Sequence, residues 1–126
     1  MYLLASIILL VILVVIAGIY TYTYTGHGYI TADEAKLLIA TGRIKTVVDV
    51  RTGWEWNRGH YPTAVHLPVS QMTRTTIRDL KANRVLQDPV VVYCNTGQRA
   101  RMAAEALRTH GMDHVYYIAE HWEALM

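Results

Sequence analysis

Four short apolar runs, separated by stretches of helical pattern, restrict the fold of this chain more than any other feature. The runs are residues 46–50, 64–67, 90–93 and 115–118, and helical patterns occupy roughly 53–58, 70–86 and 98–110. In the first run, TVVDV, β-branched residues follow one another without alternation, as expected of a strand that is covered on both faces. Strands that alternate with helices are typical of a parallel sheet with helices on both faces. The pattern therefore predicts an α/β fold.

An uncharged apolar segment, YLLASIILLVILVVIAGIY, occupies residues 2–20. As a helix of about 19 residues, with a rise of roughly 1.5 Å each, it would span about 28 Å, close to the hydrocarbon thickness of a bilayer. A cleaved signal peptide is the alternative, but that would carry a basic segment before a shorter apolar core. No Lys or Arg precedes this segment, so we expect an uncleaved, single-pass anchor that contacts the lipid bilayer through residues 2–20 and places the protein at the membrane.

The segment that follows, YTYTYTG, fits an aromatic belt at the membrane interface, and a strand is the alternative. Gly26 and Gly28 then suggest a short flexible joint. We therefore assign residues 1–25 to an N-terminal anchor with its interfacial segment, and residues 26–126 to one domain. The first charged residues beyond the anchor show no positive bias, so the side of the membrane is left open.

Composition removes several classes of function. Lys and Arg number 12 against 10 Asp and Glu, for a net charge of +2, and there is no basic run, so we expect no nucleic acid partner. A single cysteine excludes an intramolecular disulfide framework and a thiolate-rich zinc site. The six histidines show no ligand spacing, and we expect no metal.

The only cysteine, Cys94, directly follows the third apolar run, in YCNTGQRA. Ligands of parallel α/β sheets gather beyond the carboxyl ends of the strands. Gly97 permits backbone angles that turn successive N–H groups inward, and an apolar stripe from Ala100 to Leu107 predicts that a helix begins after the loop. The N–H groups, the helix N-terminus and Arg99 would together stabilise a thiolate. A small buried core thiol is the alternative, and the position favours a nucleophile.

Three segments, in this order, resemble the rhodanese sulfurtransferase family: TVVDVRTGWEWNRGHYPTAVHLP, VVVYCNTGQR and HGMDHVYYIAEHWEAL. The resemblance implies a parallel five-stranded sheet flanked by helices, here preceded by one transmembrane helix. It also implies that Cys94 takes sulfur from a small anion such as thiosulfate, carries it as a persulfide, and passes it to a thiol or cyanide-like acceptor. No metal or organic cofactor is implied.

The resemblance further implies roles for the loop and for a supporting motif, DVRTGWEWNRGHYP. The loop residues expected to bind substrate are Asn95, Thr96, Gly97, Gln98 and Arg99. Arg51 is a further candidate for contact with the anion. The residues expected to support the loop are Asp49, Glu55 and His60, with Glu55 paired to Arg51 or Arg58.

Two other functions stay open. Four residues separate Cys94 from Arg99, whereas related cell-cycle phosphatases have five there. The shorter loop favours a single sulfur atom over the larger phosphate group. A cysteine-based phosphatase or arsenate reductase is therefore the second enzymatic interpretation. A non-catalytic module, acting as a sulfide or redox sensor or as an interaction domain, is the other class. Family members tend to have a Gly-Gly pair where Glu120 and His121 occur, and this departure at the rim leaves the substrate open.

Overall fold

The computed structural model describes residues 1–126 and contains five α-helices, four β-strands and two 3₁₀ turns. The elements in chain order are α1 (Tyr2–Tyr24), α2 (Ala32–Ala40), β1 (Thr46–Asp49), α3 (Gly53–Asn57), β2 (Val65–His66), α4 (Arg74–Ala82), β3 (Val90–Tyr93), α5 (Gln98–Thr109) and β4 (Val115–Tyr117). The 3₁₀ turns are Val69–Gln71 and Trp122–Leu125. All strand pairs are parallel, in the order β2-β1-β3-β4. The predicted α/β class is therefore confirmed.

The sheet has four strands, so the expectation of five was wrong. Beside β4, Tyr29 makes only an isolated parallel bridge to Tyr117. The hydrogen bonds there run from the Ile30 N–H to the Tyr117 carbonyl and from the Tyr117 N–H to the Gly28 carbonyl, each at 3.0 Å. Gly28 has a φ of 86° and Thr31 already caps α2. The extended segment between them is therefore too short to form a strand.

The helix expected over residues 70–86 is shorter than its pattern. A 3₁₀ turn occupies Val69–Gln71, and α4 begins only after Thr73, whose side chain accepts a hydrogen bond from the Thr76 N–H at 3.2 Å. Arg84, with a φ of 61°, lies beyond the end of α4. Ser, Thr and Asn side chains that bond to nearby backbone groups favour such starts and stops over an uninterrupted helix.

Two apolar clusters cover the two faces of the sheet. As a result, β1 and β3 are buried along their whole length. Val48 and Val92 pack with residues of α4 and α5 in the larger cluster. Val47 and Val91 pack with α2 and the C-terminal turn in the smaller one. Neighbouring residues of one strand thus point to opposite faces, and both faces are covered, as the unbroken apolar pattern of these strands predicted.

The helix α1 is long and apolar enough to cross a membrane, and none of its apolar stretch is buried in the protein. The tyrosine–threonine segment continues α1 to Tyr24, so its alternative interpretation as a strand was wrong. The joint that follows is closely packed rather than loose. The Gly26 N–H donates to the Tyr117 hydroxyl at 3.0 Å, and a Cβ on Gly26 would lie 2.4 Å from that oxygen.

The domain also covers the C-terminal end of α1, where helix carbonyls lack partners of their own. The Tyr117 hydroxyl donates to the Thr23 carbonyl at 2.7 Å, and the Arg101 guanidinium donates to the Tyr22 carbonyl. The same guanidinium lies over the Tyr22 ring, 4.0 Å from its centroid. As a result, α1 is joined to the domain by direct contacts as well as by the chain.

Candidate active site at the cysteine loop

The strands β1 and β3 bring the two halves of the site to one edge of the sheet. They are adjacent and parallel, with Asp49 in register with Tyr93. Residues that directly follow these positions therefore emerge side by side at the carboxyl edge, where ligands of such sheets bind. Arg51, two residues after Asp49, and Cys94, directly after Tyr93, therefore lie at the same edge of the sheet.

Cys94 is buried, with 1% of its surface exposed, and its thiol is free. The Gly97 N–H donates to the Cys94 sulfur at 3.1 Å. Gly97 caps the N-terminus of α5 with a φ of 103°, a left-handed conformation that glycine adopts without steric cost. The loop therefore directs a backbone N–H at the sulfur, at the end of α5 where the helix dipole is positive.

Glu55 lies at the centre of the polar contacts around this loop. Its carboxylate accepts from the Arg99 Nη1 and Nη2 at 2.7 and 2.9 Å, and from the Asn95 Nδ2 at 2.7 Å. The expected partners Arg51 and Arg58 were wrong, because α3 turns the carboxylate toward α5. The hydrogen bonds from Arg99 lower the pKa of Glu55 from 4.5 to about 2.

The pairing also defines the state of Arg99. The hydrogen bonds to Glu55 raise the pKa of Arg99, and the negative charge of a Cys94 thiolate adds to the effect. Two of the guanidinium nitrogens are thus bound within the protein. Arg99 holds the loop against α3, a contact that its expected role in substrate binding did not include.

A capping box explains why α3 begins where it does and why Glu55 faces the loop. The Thr52 hydroxyl accepts from the Glu55 N–H at 3.4 Å, and the Glu55 carboxylate accepts from the Thr52 N–H and hydroxyl at 3.2 and 3.1 Å. Such reciprocal bonds satisfy N–H groups that a helix start leaves without partners. The same carboxylate therefore caps α3 and contacts the cysteine loop.

A buried charged group lies beneath the loop, formed by Asp49 and Arg51, of which 0% and 4% of the surface is exposed. The Asp49 carboxylate accepts from the Arg51 N–H at 2.9 Å and from the Arg51 Nη2 at 2.7 Å. Arg51 Nη2 also donates to the Gly59 carbonyl at 2.7 Å. Burial lowers the pKa of Arg51, but the hydrogen bond to Asp49, the charge of Asp49 and the contact with Tyr93 together outweigh burial, and the net change is upward.

Tyr93 completes this group, and sequence reasoning did not include it. Its hydroxyl donates to the Asp49 carboxylate at 2.6 Å and accepts from the Tyr61 N–H at 3.1 Å. Burial, followed by the hydrogen bond to Asp49, raises the pKa of Tyr93. The one signal in the sequence was a tyrosine at the end of an otherwise aliphatic buried strand.

His60 lies in an aromatic stack beside the site. Its ring is parallel to the Trp56 ring, with centroids 3.4 Å apart, and its Nδ1 lies 3.0 Å from the Trp56 carbonyl oxygen. The His66 ring also stacks on Trp56, with centroids 4.6 Å apart. Both the hydrogen bond and the stacking of His60 are with Trp56, so its support of the loop is exerted through α3.

A cleft of about 330 Å³ opens beside the loop, and its wall includes Arg51, Arg58, Asn95, His121 and Trp122. His121 and Trp122 therefore line the entrance at the segment where the sequence departs from the family pattern. The Arg58 guanidinium lies 4.8 Å from the centroid of the exposed Trp54 ring. None of the ion pairs involves Arg58, so its positive charge faces the cleft without a carboxylate partner. From the sequence, Arg58 was expected only as a partner of Glu55.

The remaining loop side chains connect the site to α1. The Thr96 hydroxyl donates to the Gln98 Oε1, and the Gln98 Nε2 donates to the Thr23 hydroxyl oxygen at 2.7 Å. Thr23 is buried, with 2% of its surface exposed. Sequence reasoning placed Thr23 in the interfacial segment, and no local pattern distinguished it from the threonines on either side.

Two curated relatives come from Bacillus subtilis (strain 168). The putative sulfur carrier protein YrkF is 26% identical over 86 residues, which is 68% of this chain and 44% of that protein. The uncharacterized protein YqhL is 27% identical over 115 residues, which is 85% of this chain and 84% of that protein. The chain thus spans less than half of the first relative and most of the second.

Solved structures show the same fold. The human single-domain sulfurtransferase TSTD1 matches with a TM-score of 0.63 at 24% identity, over 79% of this chain and 95% of that one. A complex of an EanB variant with ergothioneine matches with a TM-score of 0.62 at 22% identity, over 74% of this chain and 24% of that one. The sequence model of the family described as the rhodanese-like domain matches residues 31–126 of this chain. Since this match covers all the sheet and the cysteine loop, the chain belongs to the rhodanese-like domain family.

Proposed function

We propose that this protein moves sulfane sulfur from a donor such as thiosulfate to a nucleophilic acceptor through a persulfide on Cys94. Membership of the rhodanese-like family supports sulfur transfer in general. The observation that carries the specific proposal is the hydrogen bond from the Gly97 N–H to the Cys94 sulfur at 3.1 Å, at the N-terminus of α5. A backbone N–H directed at the sulfur from a helix N-terminus stabilises negative charge on that atom, and the thiolate is the form of cysteine that acts as the nucleophile.

In the first step the Cys94 thiolate attacks the outer sulfur of thiosulfate. A sulfur–sulfur bond forms to Cys94, the bond within thiosulfate breaks, and sulfite leaves with the electron pair. Cys94 then carries a persulfide whose terminal sulfur is the sulfur to be transferred. The N–H groups from Asn95 to Arg99 stabilise the negative charge on the terminal sulfur.

In the second step a nucleophilic acceptor attacks the terminal sulfur. Cyanide forms thiocyanate in this way, and a thiolate acceptor becomes a persulfide. The bond to Cys94 breaks, and its electron pair returns to the sulfur of Cys94 as a thiolate. Charges and electrons balance over the two steps with no external oxidant, and covalent catalysis of this kind has ping-pong kinetics.

The anionic donor requires positive charge at the entrance, and the cleft supplies it. Arg58 has no carboxylate partner, and Arg51 contributes a buried guanidinium to the same wall. Because Arg99 is bound to Glu55 and Arg51 to Asp49, we assign contact with the donor first to Arg58, with Arg51 as a second cation in the same wall, and a loop-holding role to Arg99. Asp49, Glu55 and His60 act as supports, through the hydrogen bonds and stacking described above.

We also propose that α1 anchors the enzyme in a bilayer. Its apolar residues are exposed along the whole segment from Tyr2 to Tyr20, which a helix in water would not favour. The rings of Tyr20 and Tyr24 lie near its C-terminal end, with centroids 4.8 Å apart, in the position of an interfacial aromatic pair.

The test uses the full chain in detergent micelles. After incubation with thiosulfate, intact mass should show a gain of one sulfur atom, and addition of cyanide should release thiocyanate and restore the original mass. Cys94→Ser is the control, and we expect neither the gain nor thiocyanate while the circular dichroism spectrum is unchanged. A protein that gains sulfur but does not release it would contradict transferase activity and support a sensor. Hydrolysis of an aryl phosphate that depends on Cys94 would instead favour the phosphatase.

A further inference from the structure

We propose that Thr23, in the last turn of the N-terminal helix, is a positioning residue of the active site and acts through Gln98 on the peptide that holds the cysteine sulfur. The inference rests on the proposed function of Cys94 and extends it to the anchor. It makes the end of α1 a part of the enzyme as well as an attachment.

The contact begins with a buried hydroxyl. The Thr23 hydroxyl donates to the Ile19 carbonyl at 2.7 Å, and its oxygen accepts from the Gln98 Nε2 at 2.7 Å. A hydroxyl has one hydrogen, and here that hydrogen is directed into α1. Thr23 therefore presents only an acceptor to the loop, and the Gln98 side chain must turn its NH₂ group toward α1.

The orientation of Gln98 then determines its contacts within the loop. With its NH₂ group toward α1, its Oε1 faces the Thr96 hydroxyl, which donates to it. The Nε2 also donates to the Thr96 carbonyl at 3.3 Å. An amide has two N–H donors and an oxygen acceptor, and all of these are used. Thr23 is the partner of this amide that lies outside the loop.

The Thr96 carbonyl belongs to the same peptide group as the Gly97 N–H. That N–H donates to the Cys94 sulfur at 3.1 Å. The peptide group is planar, so a hydrogen bond that holds its carbonyl also fixes the direction of its N–H. The contacts from Thr23 through Gln98 therefore end at the sulfur.

Packing supports the same arrangement. A Cβ on Gly97 would lie 2.9 Å from the Thr23 Cγ2 and 2.9 Å from the Ala119 Cβ. The methyl group of Thr23 thus fills the space directly beside the loop glycine. The hydroxyl and the methyl group of one side chain contact two successive residues of the loop, Gly97 and Gln98, from the same side.

The experiment compares three variants of the full chain in detergent micelles. Thr23→Val keeps the shape and removes the hydroxyl, Thr23→Ser keeps the hydroxyl and removes the methyl group, and Thr21→Val makes the same change at an exposed position. We expect Thr23→Val to lower kcat/KM with thiosulfate by about three- to tenfold, the equivalent of one lost hydrogen bond. The rate at which iodoacetamide alkylates Cys94 at neutral pH should fall in parallel, while Thr23→Ser and Thr21→Val stay near the wild-type values.

The alkylation rate needs no transferase activity, so the positioning role is tested even if thiosulfate is not turned over. Gln98→Leu supplies a second check, because the double variant Thr23→Val/Gln98→Leu should be no slower than Gln98→Leu alone. The proposal is overturned if Thr23→Val matches Thr21→Val in alkylation, if Thr23→Ser is as impaired as Thr23→Val, or if the double variant shows additive losses.

Discussion

Glu55 accepts hydrogen bonds from both terminal nitrogens of Arg99, at 2.7 and 2.9 Å, across 44 positions of the chain. The pair joins α3 to α5 on either side of Cys94, and 14% of the Glu55 side chain is exposed. The arginine of the cysteine loop is thus a structural cation whose charge is balanced by the protein itself.

This pair should make stability depend on pH at the acid end. The pKa of Glu55 is about 2 in the folded protein and 4.5 ordinarily. A lowered pKa contributes stability that is complete above the unfolded value and is lost as pH falls through the folded one. The free energy of unfolding of the wild type should therefore exceed that of Glu55→Gln by about 1–3 kcal/mol near neutrality, a hydrogen bond between charged groups.

The measurement is chemical unfolding of both proteins at a series of pH values. The difference should persist down to the unfolded pKa of 4.5 and vanish as the pH approaches 2. Glu34→Gln is the matched control, because Glu34 forms the same capping box with Thr31 in α2 but has no arginine partner. A pH dependence shared by both variants would show that the capping box, and not Arg99, is responsible.

The buried group under the loop should be sensitive to the loss of a single charge. Asp49→Asn leaves the Arg51 guanidinium buried without its carboxylate, and we expect a loss of about 3–5 kcal/mol in the free energy of unfolding. Tyr93→Phe removes one hydroxyl from the same group and should lose only about 1–2 kcal/mol. Thermal or urea unfolding measures both. Equal losses would mean that the charge pair adds nothing beyond its hydrogen bonds.

Gly97 should tolerate no side chain. Its φ of 103° is unfavourable for other residues, and an added Cβ would meet Ala119 and Thr23 at 2.9 Å. We expect Gly97→Ala to destabilise by about 2–5 kcal/mol, from strain of about 1–2 and overpacking of about 1–3, and to lower the alkylation rate of Cys94 well below that of the wild type.

Gly42→Ala separates the two causes, because Gly42 also has a positive φ, 74°, but nothing lies within 4 Å of its added Cβ. It should lose only the strain, about 1–2 kcal/mol, and leave alkylation of Cys94 unchanged. If Gly97→Ala costs no more than Gly42→Ala, the close packing of the loop against α1 is wrong.

Arg58 should set the affinity for an anionic donor. Arg58→Ala removes the unpaired cation of the cleft, and we expect KM for thiosulfate to rise by about three- to tenfold with little change in kcat, because the charge binds substrate and transition state alike. Steady-state kinetics at several salt concentrations provide the measurement. Arg43→Ala, an equal change of charge at an exposed site on the opposite edge of the sheet, is the control and should leave KM unchanged.

The sequence predicted the parts of this protein that depend on local pattern. Cys94 follows a buried strand because Val90 to Tyr93 are uniformly apolar, and the start of α5 follows from Gly97 and the stripe beyond it. Thr31 and Glu34, three residues apart, likewise have the spacing of the capping box that begins α2. The family resemblance implied the topology but also a fifth strand. The sheet has four strands, because the segment around Tyr29 makes only an isolated bridge to β4.

The contacts between distant segments could not be read in this way. Glu55 has three arginines within reach of a plausible α3, and only the tertiary arrangement selects Arg99. Thr23 sits among similar threonines, and its burial follows from how the chain turns at Gly26 and returns beside α5. Both the partner of Glu55 and the burial of Thr23 depend on contacts between segments that are distant in the sequence. The spacing of residues along the chain does not predict such contacts.

The hydrogen bonds that cover the carbonyls at the end of α1 have a mechanical consequence. Arg101 and Tyr117 donate directly to carbonyls at the helix end, so these contacts restrict the movement of α1 relative to the domain. A bilayer that is thinner or thicker than the apolar segment changes the helix tilt. If α1 lies in a bilayer, as proposed above, a change in its tilt would therefore also change the orientation of the cleft at the cysteine loop relative to the membrane surface.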